Sequence, residues 1–147
     1  VFENKMVFFQ NDAISLDYQK PYLIMKINKC SITEVEVKQF GMVLKKFYKT
    51  TDKGIPIQFG MIISFEKFGM FPIKVMQKIG RIFESLKKQS QQQLYGSSII
   101  LHPELRHIFN RMLKMFKNDR PVSFVENYQK ARETIDKYIA ENSFITK

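Results

Sequence analysis

The sequence predicts a single α/β domain: a four- to five-stranded, mostly parallel sheet with an antiparallel edge strand and four helices. Three observations predict it. Short apolar runs of strand length alternate with longer amphipathic stretches of helical period. Those helical stretches are long enough to carry the chain back across a sheet, and crossovers of that kind join parallel strands. A length of 147 residues with 44% hydrophobic content suits one core.

Each element has its own signal. Met6–Gln10 and Tyr22–Lys29 read as the first two strands, with Asn11–Lys20 between them as a loop or irregular hairpin. Thr33 and Glu36 stand at capping-box spacing, which predicts a helix from there to about Tyr48. Val37, Phe40, Leu44 and Phe47 mark its apolar face, and Thr50–Gly54 supplies the stop. Ile57–Phe65 is nearly continuous apolar sequence, as expected of a central strand covered on both sides. Pro72 suits the first turn of a second helix, with Ile73, Met76, Ile79, Phe83 and Leu86 inward. Gln89–Gln93 reads as a fraying helix end or linker.

Tyr95–Leu101 is the next strand. Pro103 opens a third helix with Leu105, Phe109, Met112 and Phe116 inward. Val122–Val125 follows Pro121, which cannot donate to a ladder, so this strand is expected near an edge. Tyr128–Glu141 closes the chain as a helix. The domain is expected over residues 1–142, with 143–147 a loose C-terminal tail.

Composition narrows the function classes. Net charge is +10, which favours anionic partners. Cys30 is the only cysteine, so no internal disulfide or thiolate cluster can form, and a reducing intracellular compartment fits. No apolar run approaches the roughly 20 residues that span a bilayer. Val1 in first position reads as a processed product or a fragment. With the basic charge, it favours a mitochondrial location over a cytoplasmic one.

No catalytic equipment is legible. His102 and His107 stand five residues apart, off the spacing that aligns two ligands on a helix face. No Gly-rich phosphate loop follows a strand, since Gly96-Ser97-Ser98 lies at the wrong end of one. Glu34 and Glu36 are accounted for by helix capping. Cys30 has no suitably spaced histidine and reads as a small buried or half-buried side chain. The expectation is a non-enzyme with no cofactor and no metal.

Two surface features remain. Lys74, Lys78, Arg81 and Lys88 recur along one side of the second helix, Lys38, Lys45 and Lys49 along the first, and Arg106, Asn110, Lys114 and Lys117 along the third. Such rows can dock an anionic surface, and they are also how ordinary helices are solvated. The second feature is the loop Phe68-Gly69-Met70-Phe71, expected at the carboxyl edge of the sheet where open α/β folds bind their partners. Its Phe68, Met70 and Phe71 are a candidate partner-binding site; the alternative is that they fold inward and cap the core.

The order of elements, with "MIISFEKFGMFPIKVMQKIG", "SIILHPELRHIFNRMLKMF" and "RPVSFVENYQKARETI" as strand–helix steps, resembles the STAS or SpoIIAA-like fold over Tyr22–Ile139. Sec14/CRAL-TRIO lipid-binding domains share a related topology. The resemblance implies a binding or regulatory module. Members acting as anti-sigma antagonists switch by phosphorylation of a Ser or Thr after the central strand. Residues 67–77 contain no hydroxyl side chain, so that switch is not carried over. The expected partners are other protein subunits first, an anionic lipid or membrane surface second, and nucleic acid third.

Overall fold

The computed structural model describes residues 6–28, 32–65, 73–101, 103–105, 107 and 120–141. Alternation along the strands sorts apolar side chains to two faces. In β3 (Tyr22–Ile27) and β6 (Phe59–Ser64), Leu23, Met25, Ile27, Met61 and Ile63 join one core cluster, and Ile24 and Ile62 the other. All six residues of β6 are buried, as a strand covered on both sides requires.

These strands belong to a six-stranded sheet in the order β1-β2-β3-β6-β7-β8, where β1 is Met6–Gln10, β2 Ile14–Gln19, β7 Leu94–Ile100 and β8 Val122–Val125. The β3–β6, β6–β7 and β7–β8 pairs are parallel; β1–β2 and β2–β3 are antiparallel. The mostly parallel sheet with antiparallel pairing at one edge is therefore as the sequence predicts. It has one strand more than the four or five expected, and the reversed strand is β2, second from the edge.

That extra strand is Ile14–Gln19, within the stretch expected as a loop or irregular hairpin, and it pairs antiparallel with β1 and β3. Only Asn11–Ala13 turns: the Asn11 Oδ1 accepts the backbone N–H groups of Ala13 and Ile14 at 2.9 and 2.8 Å. Beyond it Ile14 and Leu16 are buried while Ser15 and Asp17 are half-exposed, the period of two of a strand. A two-residue connection through Lys20 and Pro21, joined by a cis peptide, leads into β3.

Helix α1 (Glu34–Lys49) begins as its capping box predicts: the Glu36 N–H donates to Thr33 Oγ1 at 3.2 Å, and the Thr33 N–H donates to Glu36 Oε1 at 2.9 Å. Replacing Thr33 with Ala should lower stability by about 1 kcal/mol in urea unfolding, and Thr33→Ser should be nearly neutral; equal losses for both would mean the hydroxyl does no capping. After α1 comes a small hairpin, β4 (Thr51–Asp52) and β5 (Ile55–Pro56). Its central residues Lys53 and Gly54 both have positive φ, 56° and 81°, the backbone that a two-residue hairpin loop needs.

Helix α2 (Ile73–Ser85) and α3 (Lys87–Gln93) follow β6, and α4 (Tyr128–Glu141) follows β8. α1 and α2 cover one face together. Phe40, Leu44 and Phe47 of α1 pack there with Ile79 of α2, Leu86 and the sheet. Phe47 meets Phe59 edge to face at 4.9 Å between ring centroids. Burying a ring of that size contributes about 2–3 kcal/mol.

The segment Gln89–Gln93, expected as a fraying end or linker, is ordered helix with Ser90 and Gln93 buried. The Gln93 Nε2 donates to the Tyr48 and Ile57 carbonyls at 2.9 and 3.0 Å, tying α3 to the end of α1 and the start of the central strand. Tyr48 Oη and Ser90 Oγ lie 3.0 Å apart beside it.

The opposite face carries α4. It lies so close that a Cβ on Gly60 would fall inside the Ile135 side chain, and one on Gly96 inside the Tyr138 ring. Ser98 Oγ donates to the Ala131 carbonyl at 3.1 Å, and Ser123 Oγ meets Tyr138 Oη. β8 lies at the edge, as Pro121 implies. Of the third helix expected after Pro103, the described residues hold a 3-10 turn at Pro103–Leu105 and a helical His107; the remainder lies outside them.

Candidate functional site

The sheet directs the carboxyl ends of β3, β6, β7 and β8 to one edge, where α/β folds usually bind. The expected binding loop there, with Phe68, Met70 and Phe71, lies outside the described residues. So do Cys30, His102, Arg106, Lys114 and Lys117. His107 is exposed, as expected of a solvent-facing residue.

The basic rows of the first two helices are described. Lys74, Arg81 and Lys88 are exposed, as are Lys38, Lys45 and Lys49 of α1. Lys78 differs: its Nζ lies 2.9 Å from Glu34 Oε1 and donates to the Ile32 carbonyl at 3.4 Å, so it bridges α2 to the start of α1. Lys38 and Arg81 stand near the same carboxylate. Together with the Lys78 hydrogen bond and charge, which act most strongly, they hold the Glu34 carboxyl below the usual range.

Charge is distributed unevenly between the two faces. Helices α1, α2 and α3 carry nine basic and three acidic residues, whereas α4 carries three of each. Of the three acids on α1, α2 and α3, Glu34 is held by Lys78, and Glu36 turns back to the N-terminal cap. Among the described helices, those on one side of the sheet are strongly cationic and the one on the other side is balanced.

Apolar side chains interrupt the cationic layer. Val35 and Met42 of α1 and Ile55 of the hairpin are 64%, 63% and 66% exposed; no other large hydrophobic among the described residues is so open. Sequence reasoning missed all three. The signal was present for two of them, because Val35 and Met42 fall outside the Val37-Phe40-Leu44-Phe47 series that fills the core.

Elsewhere, Tyr48, Tyr22, Arg120 and Lys26 are tied into structure. Burial raises the Tyr48 phenol to about 12, against a smaller opposing effect of its Ser90 hydrogen bond. Burial also raises Tyr22 to about 12, assisted by the hydrogen bond that its hydroxyl donates to Asp136 Oδ1 at 2.6 Å. Arg120, lowered by partial burial, donates from Nε to the Leu94 carbonyl at 2.7 Å. Lys26 lies 5.8 Å from the centre of the Tyr128 ring, a cation–π contact between β3 and α4.

Among the described residues, no group of three or more His, Cys, Asp or Glu side chains is placed to hold a metal ion. No described helix is long and apolar enough to cross a membrane. No family model, curated protein or solved structure matches the chain.

Proposed function

We propose that this chain is a non-enzymatic interaction module on a STAS-like scaffold, a structural or accessory subunit of a larger protein assembly. The observation that carries this reading is where exposed apolar side chains lie: Val35 and Met42 stand on α1 among its lysines, and Ile55 on the hairpin that follows it. Met and apolar groups at the centre of a patch give a partner area to bury, and surrounding cations steer an anionic partner onto it. Support for the family reading comes from the order of elements, an antiparallel hairpin leading into strand–helix steps that add parallel strands one after another. We place the protein inside the cell, in the mitochondrion in preference to the cytosol, on its net charge of +10 and single cysteine.

The test is affinity capture of the full chain with cross-linking, run beside the triple variant Lys38→Glu/Lys45→Glu/Arg81→Glu. A stoichiometric protein partner, cross-linked to wild type and lost from the variant while its circular dichroism is unchanged, is the expected result. Equal recovery by the variant would remove this face from the interface, and absence of any protein partner would end the module reading.

A further inference from the structure

We propose that the outer side of α1, with the flank of α2 beside it, seats an acidic amphipathic helix of a partner protein, and that Glu34 competes from within for the same cations. This deepens the interaction-module reading and rests on it. The partner's apolar side chains would meet Val35 and Met42, and its carboxylates Lys38, Lys45 and Arg81.

The spacing on α1 carries the first part. Val35 and Met42 are seven residues apart, two turns or about 10.5 Å along the axis. They point away from the side formed by Val37, Phe40, Leu44 and Phe47, which is buried. Lys38 and Lys45 follow each of them by three residues and so line one flank of this apolar row. It is the flank facing α2, because Gly41, on that same side, meets Ile82. A seven-residue apolar repeat bordered by one sign of charge is what a partner helix of opposite charge reads when it lies alongside.

The Glu34 cluster carries the second part. One carboxylate, its side chain 73% exposed, lies 2.9 Å from Lys78 at the seam of the two helices, with Lys38 and Arg81 nearby. A partner carboxylate arriving at this end of the groove meets the same cations. It must share them with Glu34.

Two other anionic surfaces fit less well. A helix that lies on a bilayer sinks a broad apolar face into the acyl boundary. The broad face of α1 is already committed to the core, and the row left outside is one side chain wide. Nucleic-acid strands use aromatic side chains for stacking, and the exposed positions of α1 and α2 include none.

The experiment titrates the full chain with a synthetic Glu/Leu peptide about three heptads long, its Leu residues at heptad spacing. Polyglutamate of equal length, phosphatidylserine vesicles and duplex DNA serve as rival probes. Expected is binding of the Glu/Leu peptide at least about tenfold tighter than polyglutamate, weakened by added salt. Glu34→Gln should tighten peptide binding about two- to fivefold. Met42→Gln should weaken it without changing polyglutamate binding. Both positions are exposed, and circular dichroism checks that each variant is folded.

Equal binding of polyglutamate, preference for vesicles or duplex, or a Glu34→Gln variant no tighter than wild type would each overturn the proposal. Its failure is distinguishable from failure of the module reading. A natural partner captured by wild type but cross-linked away from α1 and α2 sinks this inference and leaves the module intact.

Discussion

Adding one methyl group at Gly60 should destabilise the domain by about 3 kcal/mol, the upper end of what overpacking a core usually does. The new Cβ has nowhere to go. It would overlap Cγ2 of Ile135 and lie 2.9 Å from its Cδ1, with the Ile135 Cβ itself tight behind them at 3.2 Å, so rotating a flexible tip does not relieve the contact. Either α4 moves off the sheet or the central strand bends. Ile135→Ala alone should also be harmful, by about 3 kcal/mol, because it opens a cavity in a fully buried site. Combined, the two substitutions should lose less than the sum of the separate losses, by more than about 1 kcal/mol, since each relieves the other's fault. Urea unfolding of the four proteins measures this. Strictly additive losses would mean that α4 does not rest on Gly60 as described.

Gln93→Leu should lower stability by about 2–4 kcal/mol, although it replaces a polar side chain with an apolar one inside the protein. The Gln93 amide donates to two carbonyls at once. One belongs to Tyr48, in the last turn of α1, where a helix has no further backbone N–H to offer. Leucine removes the amide donor and deprives one buried and one half-buried carbonyl of this partner, while the apolar area gained is small. Gln93→Glu should be at least as damaging, because it replaces a donor with a further acceptor. Chemical denaturation gives the magnitude, and faster amide exchange near Ile57 should locate it. A loss under about 1 kcal/mol would show that neither carbonyl depends on this side chain.

These two positions also mark where reading the sequence ran out. Local signals sufficed for α1, because the capping box and the apolar residues at three- and four-residue steps both act within one helix. They sufficed for β6, whose unbroken apolar run has no other economical place than the sheet centre. Gln89–Gln93 was misread because composition alone marks it as solvent-exposed. What orders it is a match between one amide and two carbonyls some 36 and 45 residues away, and no local pattern encodes that. Ile14–Gln19 is a different failure. Its alternation was visible, but the turn residues Asn11 and Asp12 drew the whole stretch into a loop or irregular hairpin, when only the first three residues turn and the rest is a regular strand.

At the surface the lysine rows were legible and their grouping was not. Periodicity places Lys38 on one helix and Lys78 and Arg81 on another. Only the packing of α1 against α2, with Phe40 on Phe83 and Gly41 beside Ile82, gathers the three cations around Glu34. Val35 and Met42 went unnoticed because apolar residues on a helix are expected to serve its buried side. Their being out of step with that side was the available clue.

In this sheet, position along the chain and position across the sheet run in the same sequence. During synthesis, every strand therefore emerges next to a neighbour that is already made, and pairing never waits for a distant segment. The two sides mature at different times. Most of the side under α1 and α2 can close once β7 is in place, with Val122 and Phe124 of β8 added after it, while Ile24, Ile62 and Ile100 stay uncovered on the reverse until residues 128–141 leave the ribosome. A nascent chain stalled before that helix would present a bare strip of isoleucines, the kind of surface that holdase chaperones recognise.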